Sequence, residues 1–353
     1  MHVRHRNLLL TCALVVVASP LAVWAEAASL DTLQYNPVKT APLTGKTVRR
    51  LSDGDTLHPT FSPDGGYLAF TRVIAQDNTE LTEAGYLNLA TGKTTVLLKA
   101  ETSKEYAVYA SFIYLIKWIS NTRIEFWVSD GDVDTAVLTY DITQNKKIAQ
   151  RYVGGEEDIP TKEHEAVATQ FGAAFPEIKL HLSGMLQQGT HVSPDKWVFQ
   201  KNYSGQDNHV WLIDRKNNTH RVLLELPDEG VSTFRYAIAR GNAFLLVVGY
   251  QNTVSLVLVD KKGARIIDRF ATENYQQVYA NQLGSELDVF FVVHTGHVRT
   301  RNPAHFYRWN KHGIRKLKTG SDFIEADVSK DGKKVAVVSW QGDKRVVRII
   351  ETE

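Results

Sequence analysis

The sequence predicts an all-β protein built from repeated four-stranded units, and three observations support this prediction. A strand–turn–strand motif recurs along the chain, short apolar runs alternate with turn residues, and helical periodicity is almost absent. The chain has 353 residues, of which 43% are hydrophobic and 23% are charged. These values are typical of a folded globular protein, and the length suits one large all-β domain or two smaller domains.

The recurring motif is clearest in residues 58–70, His-Pro-Thr-Phe-Ser-Pro-Asp-Gly-Gly-Tyr-Leu-Ala-Phe, which align without gaps with residues 326–337. Shorter or weaker copies begin near residues 118, 192, 238 and 281. Proline, aspartate and glycine at successive positions favour a tight turn between two strands. Because they occupy the same slot of the repeat, the following acids are predicted to be turn residues rather than catalytic groups: Asp64, Asp195 and Asp331.

A second hairpin follows the motif, so each unit has four short strands, which is typical of a propeller blade. The last four units begin about 43 to 47 residues apart, as four-stranded blades require. The sequence therefore predicts a six-bladed β-propeller over residues 47–353. The last unit ends at its third strand, residues 344–351, and an orphan strand at 47–51 precedes the first unit. This N-terminal strand is predicted to pair beside residues 345–350 and to close the last blade.

One interval between units is nearly 30 residues too long, which places an insertion at about residues 154–188. Thr161 to Phe175 is the one helix candidate, because acidic residues follow Thr161 as in a first helical turn. The acids Glu156, Glu157 and Asp158 allow a calcium site, although consecutive acids more often form a solvated loop.

The N-terminus predicts export. Residues 1–25 combine basic Arg4 and Arg6 with an apolar stretch and a small-residue exit, the pattern of a secretory signal peptide. Cleavage is expected after Ala25 or Ala28, with an uncleaved membrane anchor as the alternative, and residues 26–46 are expected to form a linker. The expected location is periplasmic or otherwise secreted, with no stable membrane span after cleavage.

Composition excludes several functions. Formal net charge is +2, and removal of the two N-terminal arginines leaves 39 basic and 39 acidic residues. A balanced chain argues against nucleic acid as a partner, because that binding needs a concentrated basic face. Cys12, in the leader, is the single cysteine, so no disulfide and no cysteine metal site are expected in the mature chain. No cofactor is predicted.

The segment from Leu51 to Phe70 resembles the TolB-type β-propeller repeat, the WD-like variant with a Ser-Pro-Asp-Gly turn. The resemblance is specific at residues 51–98, moderate at 323–350 and loose elsewhere. It implies a six-bladed propeller in an exported bacterial protein that acts as a protein-binding scaffold. The separate α/β domain that precedes the propeller in TolB is not expected here, because only about 20 residues lie between the leader and the first strand. The roles of that domain are therefore not transferred.

Loops between second and third strands, and those between blades, share one face of a propeller, and binding residues are expected there. These loops include Arg72 to Ala84 and, as the densest, His294 to Pro303. The latter carries four candidate binding residues: His294, His297, Arg299 and Arg301. Three interpretations stay open: a metal site, an anion or acidic-partner site in which the arginines offer forked donors, and an exposed polar loop.

Two further candidates lie next to predicted strands. His58 precedes the first turn motif as His191 precedes a related one, so the pair suggests either a catalytic role or bonding to nearby backbone. Trp340 follows a strand at a loop entrance and is the best aromatic candidate for ligand contact. Four other tryptophans are predicted to pack between blades: Trp118, Trp197, Trp211 and Trp309.

The sequence thus predicts a non-catalytic exported propeller scaffold that binds a protein or peptide partner in the cell envelope. Two alternatives remain open. One is an enzyme acting in the propeller mouth, such as a carbohydrate lyase or hydrolase. The other is a sensor for a small ligand or glycan.

Overall fold

The computed structural model describes residues 27–76, 79–101, 112–129, 135–153, 161–203, 206–227, 232–250, 252–272, 279–285, 288–294, 304–319 and 322–352. The predicted signal peptide lies outside the described residues, and so do His297, Arg299, Arg301 and the acids at 156–158.

The described strands are numbered in chain order. The N-terminal region contributes β1 (Thr40–Pro42) and β2 (Lys46–Leu51). Blade 1 contains β3 (Asp55–Phe61), β4 (Tyr67–Gln76), β5 (Thr79–Asn88) and β6 (Thr94–Glu101). Blade 2 contains β7 (Phe112–Ser120), β8 (Arg123–Ser129), β9 (Thr135–Asp141) and β10 (Lys146–Val153). Blade 3 contains β11 (Thr190–Ser193), β12 (Lys196–Tyr203), β13 (Gln206–Asp214) and β14 (Thr219–Glu225).

The remaining blades follow the same plan. Blade 4 contains β15 (Ser232–Arg240), β16 (Ala243–Tyr250), β17 (Thr253–Asp260) and β18 (Gly263–Ala271). Blade 5 contains β19 (Tyr279–Gly284), β20 (Val289–His294), β21 (Ala304–Asn310) and β22 (Gly313–Lys318). Blade 6 contains β23 (Phe323–Val328), β24 (Lys334–Gln341) and β25 (Lys344–Glu351), with β2 as its fourth strand.

These strands form six sheets, each with four antiparallel strands in meander order, and blade 5 has β1 as an additional parallel strand. The arrangement fits the predicted six-bladed propeller. In blade 6, β2 pairs antiparallel with β25 and aligns Thr47 with Ile350 and Leu51 with Val347. First strands of neighbouring blades contact one another, as β3 does with both β7 and β23.

The Ser-Pro-Asp-Gly turn has the conformation that its sequence predicts. Gly65 adopts a φ of 66°, and its N–H donates to the carbonyl of Ser62 at 2.8 Å. The Ser62 hydroxyl donates to the Asp64 carboxylate at 2.6 Å. Blade 6 repeats the arrangement, since Ser329 donates to Asp331 at 2.7 Å. Asp64 and Asp331 therefore act as turn residues, as predicted.

The core lies between blades, where apolar side chains of adjacent sheets interdigitate. Blades 3 and 4 share a cluster that includes Val198 and Phe244, and blades 6 and 1 share one that includes Val347 and Leu68. Each such side chain, once fully buried, contributes about 1.5–3 kcal/mol to stability.

The prediction of a loop from Arg72 to Ala84 is wrong, because β4 extends to Gln76 and β5 begins at Thr79. The pairing of β4 with β5 continues from Tyr67 through Gln76, so a strand forms here despite the polar composition of the segment.

The insertion contains more helix than the sequence predicts. The expected helix is present as α1 (Lys162–Phe171), whose N-terminus is capped by Thr161. A 3-10 turn (Pro176–Ile178) and a second helix, α2 (Leu182–Gln188), follow it. Both helices pack on the face of blade 3 that carries Trp197 and Phe199. The alternate residues of the same strand face blade 4.

This packing corrects part of the tryptophan prediction. Trp118 and Trp309 lie in apolar clusters between blades, as expected. Trp197 and Trp211 instead pack against the helical insertion, where the Trp211 ring meets Phe175 edge to face at 5.0 Å. Strand periodicity shows which side chains are buried but not which element covers them.

Residues 28–43, here called the N-terminal strap, run along the outer edges of three blades. Ser29 pairs in parallel with Glu225 of blade 3, and Tyr35 pairs with Ile266 of blade 4. Strand β1 then pairs with Lys316–Lys318 of blade 5. The region predicted as a linker thus supplies backbone hydrogen bonds to three successive outer strands.

Candidate functional site

The candidate site starts where first strands begin and second strands end, and it extends along β3 and β23 as far as Phe61 and Asp327, next to the turns at the other end. His294, the last residue of β20, is directly opposite Tyr279, the first residue of β19. The start of a first strand therefore lies on the face opposite to the Ser-Pro-Asp-Gly turn, which joins the other ends of the same two strands. This is the face on which the sequence predicts the binding loops. We refer to the group formed by His58, His294, Glu325 and Asp327 as the mouth cluster.

His58 has an unusual backbone conformation. Its φ is 52°, although it is not a glycine and is followed by Pro59, which normally favours an extended conformation before it. The pairing of β3 with β4 is interrupted between Leu57 and Thr60, so His58 lies in a bulge. Its freed N–H donates to Oε1 of Glu325 at 2.5 Å, and its Nδ1 lies 3.4 Å from Oε2 of the same carboxylate. The carboxylate thus holds both the backbone and the ring of His58.

Asp327 makes the second bond between the same two strands. It lies two residues after Glu325 in β23, so both side chains are on one face of that strand. One of its carboxylate oxygens, Oδ2, accepts the N–H of Phe61 at 2.6 Å. Two acids of blade 6 therefore fasten the first strand of blade 1.

Burial and mutual charge set the protonation of the mouth cluster. Burial alone would lower the pKa of His58, but the Glu325 carboxylate raises it above the usual value. Burial would likewise raise the pKa of Glu325, but His58 lowers it. Burial raises the pKa of Asp327 to about 7, against the backbone N–H bonds that it accepts from Phe61 and Val328. Burial lowers the pKa of His294 to about 4 and keeps this ring neutral.

Arg345 and Trp340 lie beside the mouth cluster. The Arg345 backbone N–H and Nε both donate to Oδ1 of Asp55, at 2.8 and 2.6 Å, and a terminal guanidinium nitrogen binds Oδ2. The guanidinium lies 5.3 Å from the centre of the Trp340 ring. Trp340 is half-buried and packs against the cluster between blades 6 and 1. One side of its ring is thus occupied by this arginine.

The structure brings together three of the six residues that the sequence proposed for binding. His58 and His294 both interact with Glu325, and Arg345, which affects the pKa of His58, contacts Trp340. His297, Arg299 and Arg301 are outside the described residues. The sequence interpretation missed Glu325 and Asp327. Their signal was two acids at a spacing of two in the apolar strand Phe-Ile-Glu-Ala-Asp-Val, which places both on one face.

The mouth cluster offers carboxylates and imidazoles with unlike protonation behaviour. Such a set can accept hydrogen bonds from a cationic or amide group, or exchange a proton near neutral pH. Among the residues that the structure describes, no three His, Asp, Glu or Cys side chains are placed to hold a metal ion. Within the same residues, neither helix is long and apolar enough to cross a bilayer.

Comparison with known proteins gives likeness in structure only. No protein-family model and no curated protein sequence matches this chain. Oligogalacturonate lyase in complex with manganese is 12% identical over 90% of this chain and 98% of its own, with a TM-score of 0.42. The β-propeller domain of the Trilobed protease from Pyrococcus furiosus is 14% identical over 85% and 82%, with a TM-score of 0.34.

TolB from Acinetobacter baumannii is 11% identical over 81% of this chain and 67% of its own, with a TM-score of 0.29. The chain spans less than half of several matching peptidases, namely 41% of a prolyl endopeptidase and 44% of an acylaminoacyl peptidase. At these identities and TM-scores the likenesses carry no argument about function. The assignment to the β-propeller class rests on the strand topology described above.

Proposed function

We propose that this chain is a non-catalytic exported β-propeller that binds a protein or peptide partner in the cell envelope. The observation that supports binding at the mouth is the mouth cluster itself. Its carboxylates are bonded to the β3 backbone, and Glu325 also holds the ring of His58, so the polar groups beside the mouth are fixed in place. Fixed groups bind a partner with little loss of side-chain entropy. Export is supported by the leader sequence at residues 1–25.

A pair of photo-crosslinking variants tests this proposal. Lys344 is exposed at the start of β25, beside the β24–β25 turn on the mouth face, and Lys333 is exposed in the β23–β24 turn on the opposite face of the same blade. Each is replaced in turn by a photoreactive residue in the exported protein. We expect crosslinks to one envelope protein from position 344 and not from position 333. Equal crosslinking from both positions, or none from 344, contradicts binding at the mouth.

We further propose that the pairing of β2 with β25 closes the propeller ring. The support is the register that aligns Lys46 with Glu351, both exposed, at the end of this pair. The double variant Lys46→Cys, Glu351→Cys should form a disulfide and raise the unfolding temperature in the oxidised state only. A disulfide that forms without any stabilisation would show that this edge opens independently of the remaining fold.

An enzyme of the mouth, such as a carbohydrate lyase or hydrolase, is the second candidate. One observation favours it: the pKa of Asp327 is about 7, which suits general acid–base catalysis near neutral pH. Turnover of polyuronate or of neutral oligosaccharides would be followed by ultraviolet absorbance and reducing ends. Activity that is lost in the Asp327→Asn variant supports the enzyme, and binding without turnover supports the scaffold.

A further inference from the structure

The N-terminal strap shows how the outer edges of these blades accept another strand. In blade 3 the Glu225 N–H donates to the carbonyl of Ala28 at 3.1 Å. In blade 4 the Ile266 N–H donates to Gln34 at 3.0 Å, and its carbonyl accepts the Asn36 N–H at 2.8 Å. Backbone groups that an edge strand leaves open are satisfied in this way.

The strap covers further edge groups in blade 5. The Lys316 N–H donates to the carbonyl of Lys39 at 3.1 Å, and the Leu43 N–H donates to Lys318 at 3.2 Å. In blade 6 the outer strand is β2 itself. Four of the six blades thus have an outer edge that is covered or supplied by the N-terminal region.

Blades 1 and 2 differ, because within the part of the chain that the structure describes their outer strands β6 and β10 pair with β5 and β9 alone. Residues 94–98 of β6 are half-buried, whereas the β10 edge is open. Residues 146–152 of β10 are all exposed. Two of them are large and apolar, since Ile148 is 44% exposed and Tyr152 is 71% exposed. An exposed edge of this length is able to template pairing with another chain.

The charge of β10 indicates what can pair there. The strand reads Lys-Lys-Ile-Ala-Gln-Arg-Tyr-Val and contains three cations and no acid. Arg151 lies 5.3 Å over the Trp127 ring and 3.7 Å from Glu125, so it is directed along one face of the sheet. Lys147 bonds to Gln150 at 3.0 Å, and Gln150 bonds to the Tyr152 hydroxyl at 2.9 Å. Basic side chains therefore flank the open edge.

We propose that the outer edge of β10 binds an extended acidic segment of a partner protein by strand addition. The three strap-covered blades supply the geometry, and the basic residues supply the selectivity. A second copy of this chain is disfavoured, because pairing two β10 edges would bring like charges together. The inference rests on the proposed function only in that the partner is a protein.

A synthetic peptide probes this edge. The peptide acetyl-Thr-Glu-Val-Glu-Val-Glu-Thr-amide, labelled with a fluorophore, is titrated with the full chain and followed by anisotropy. A version with glutamine for glutamate tests charge. A version N-methylated at alternate residues keeps the side chains and removes backbone donors. We expect each change to weaken binding at least tenfold.

Charge-reversal variants locate the binding. The triple variant Lys146→Glu, Lys147→Glu, Arg151→Glu should lose at least tenfold in affinity. The control reverses three exposed cations in turns, Arg215→Glu, Lys216→Glu and Lys261→Glu, and should bind as the wild type does. Circular dichroism checks that both variants fold.

Three results overturn the proposal: no saturable binding, equal binding of the N-methylated peptide, or an equal loss in the control variant. Concentration-dependent dimerisation without peptide binding would assign the edge to a second copy instead. Because the peptide does not require the mouth, this test is independent of the crosslinks at position 344. Failure of one experiment therefore leaves the other proposal standing.

Discussion

Two interfaces between blades hold the first strand of the following blade with different chemistry. At the interface of blades 3 and 4, neutral side chains accept the free backbone donors of β15. Gln200 accepts the Phe234 N–H at 2.8 Å, and the Thr190 hydroxyl accepts the Ala237 N–H at 3.1 Å. At the interface of blades 6 and 1, carboxylates accept the corresponding donors of β3 at 2.5 and 2.6 Å.

The difference shows where this propeller concentrates charge. The blade 6–1 interface also contains the Arg345–Asp55 pair and a bond from Lys334 Nζ to the Gly65 carbonyl at 2.9 Å. Bonds to ionised groups are shorter and stronger than neutral ones, but they require burial of charge. The chain returns to its N-terminal strand at this interface. The hydrogen bonds that join blades 6 and 1 should therefore depend on pH, whereas those that join blades 3 and 4 should not.

Removal of Glu325 should have the largest effect. The Glu325→Ala variant leaves the His58 N–H and ring without their acceptor and should lower the free energy of unfolding by about 3 kcal/mol. The matched Gln200→Ala variant leaves the Phe234 N–H without its neutral acceptor, removes the bond that Gln200 donates to Asn208 at 2.6 Å, and should cost about 1–2 kcal/mol. Urea unfolding at pH 7 measures both. If the two losses are equal, or if Gln200→Ala costs more, charge does not distinguish these interfaces.

The Asp327→Asn variant should change the pH dependence of stability. The pKa of Asp327 is about 7 in the folded chain and near 3.8 when unfolded, so the folded state binds more protons between these values. Stability should fall as pH rises from 4 to 7 and then level off. Asparagine keeps an acceptor for the Phe61 N–H and removes this slope.

We expect Asp327→Asn to gain on the order of 3 kcal/mol relative to wild type between pH 4 and pH 8. Unfolding midpoints across this range measure the gain. The control is Gln200→Ala, whose offset from wild type should be the same at every pH. An Asp327→Asn offset that is equally constant would disprove the raised pKa.

His294 should contribute the opposite slope. The pKa of this ring is near 6.5 when unfolded and about 4 in the folded chain. Acidification from pH 6.5 to 4 therefore protonates the unfolded state first and destabilises the fold. The His294→Gln variant should lose about 2 kcal/mol less than wild type over this range. NMR titration of the ring supplies an independent measure, and a midpoint above 6 would contradict the prediction.

Much of the fold could be predicted because its determinants are local. The Ser62–Gly65 turn needs only residues that are close in sequence, and its repetition at Ser329 marks the period of the units. The first helix of the insertion was also predictable from its Thr161 cap. The second helix was not, because Leu182–Gln188 carries no capping residue and owes its position to packing on Trp197 and Phe199.

Only half of the candidate site could be predicted from the sequence. His58 and His294 attract attention as residue types, but they are 236 positions apart. Glu325 and Asp327 resemble ordinary strand residues until β23 is placed beside β3. The N-terminal strap could not be predicted either, because its segment lacks strand periodicity. Its conformation is set by pairing with the outer strands of blades 3, 4 and 5.

The repeat, the turns and the alternation of buried residues follow from local sequence, because they depend on local conformational preference and on the period of two in a strand. Folding adds three further features: the order in which the blades face one another, the bonds of two acids to the backbone of another blade, and the pairing of residues 28–43 with three outer edges. These features depend on contacts between residues far apart in the chain. Propensity does not encode such contacts; burial and hydrogen bonding select them once the blades pack.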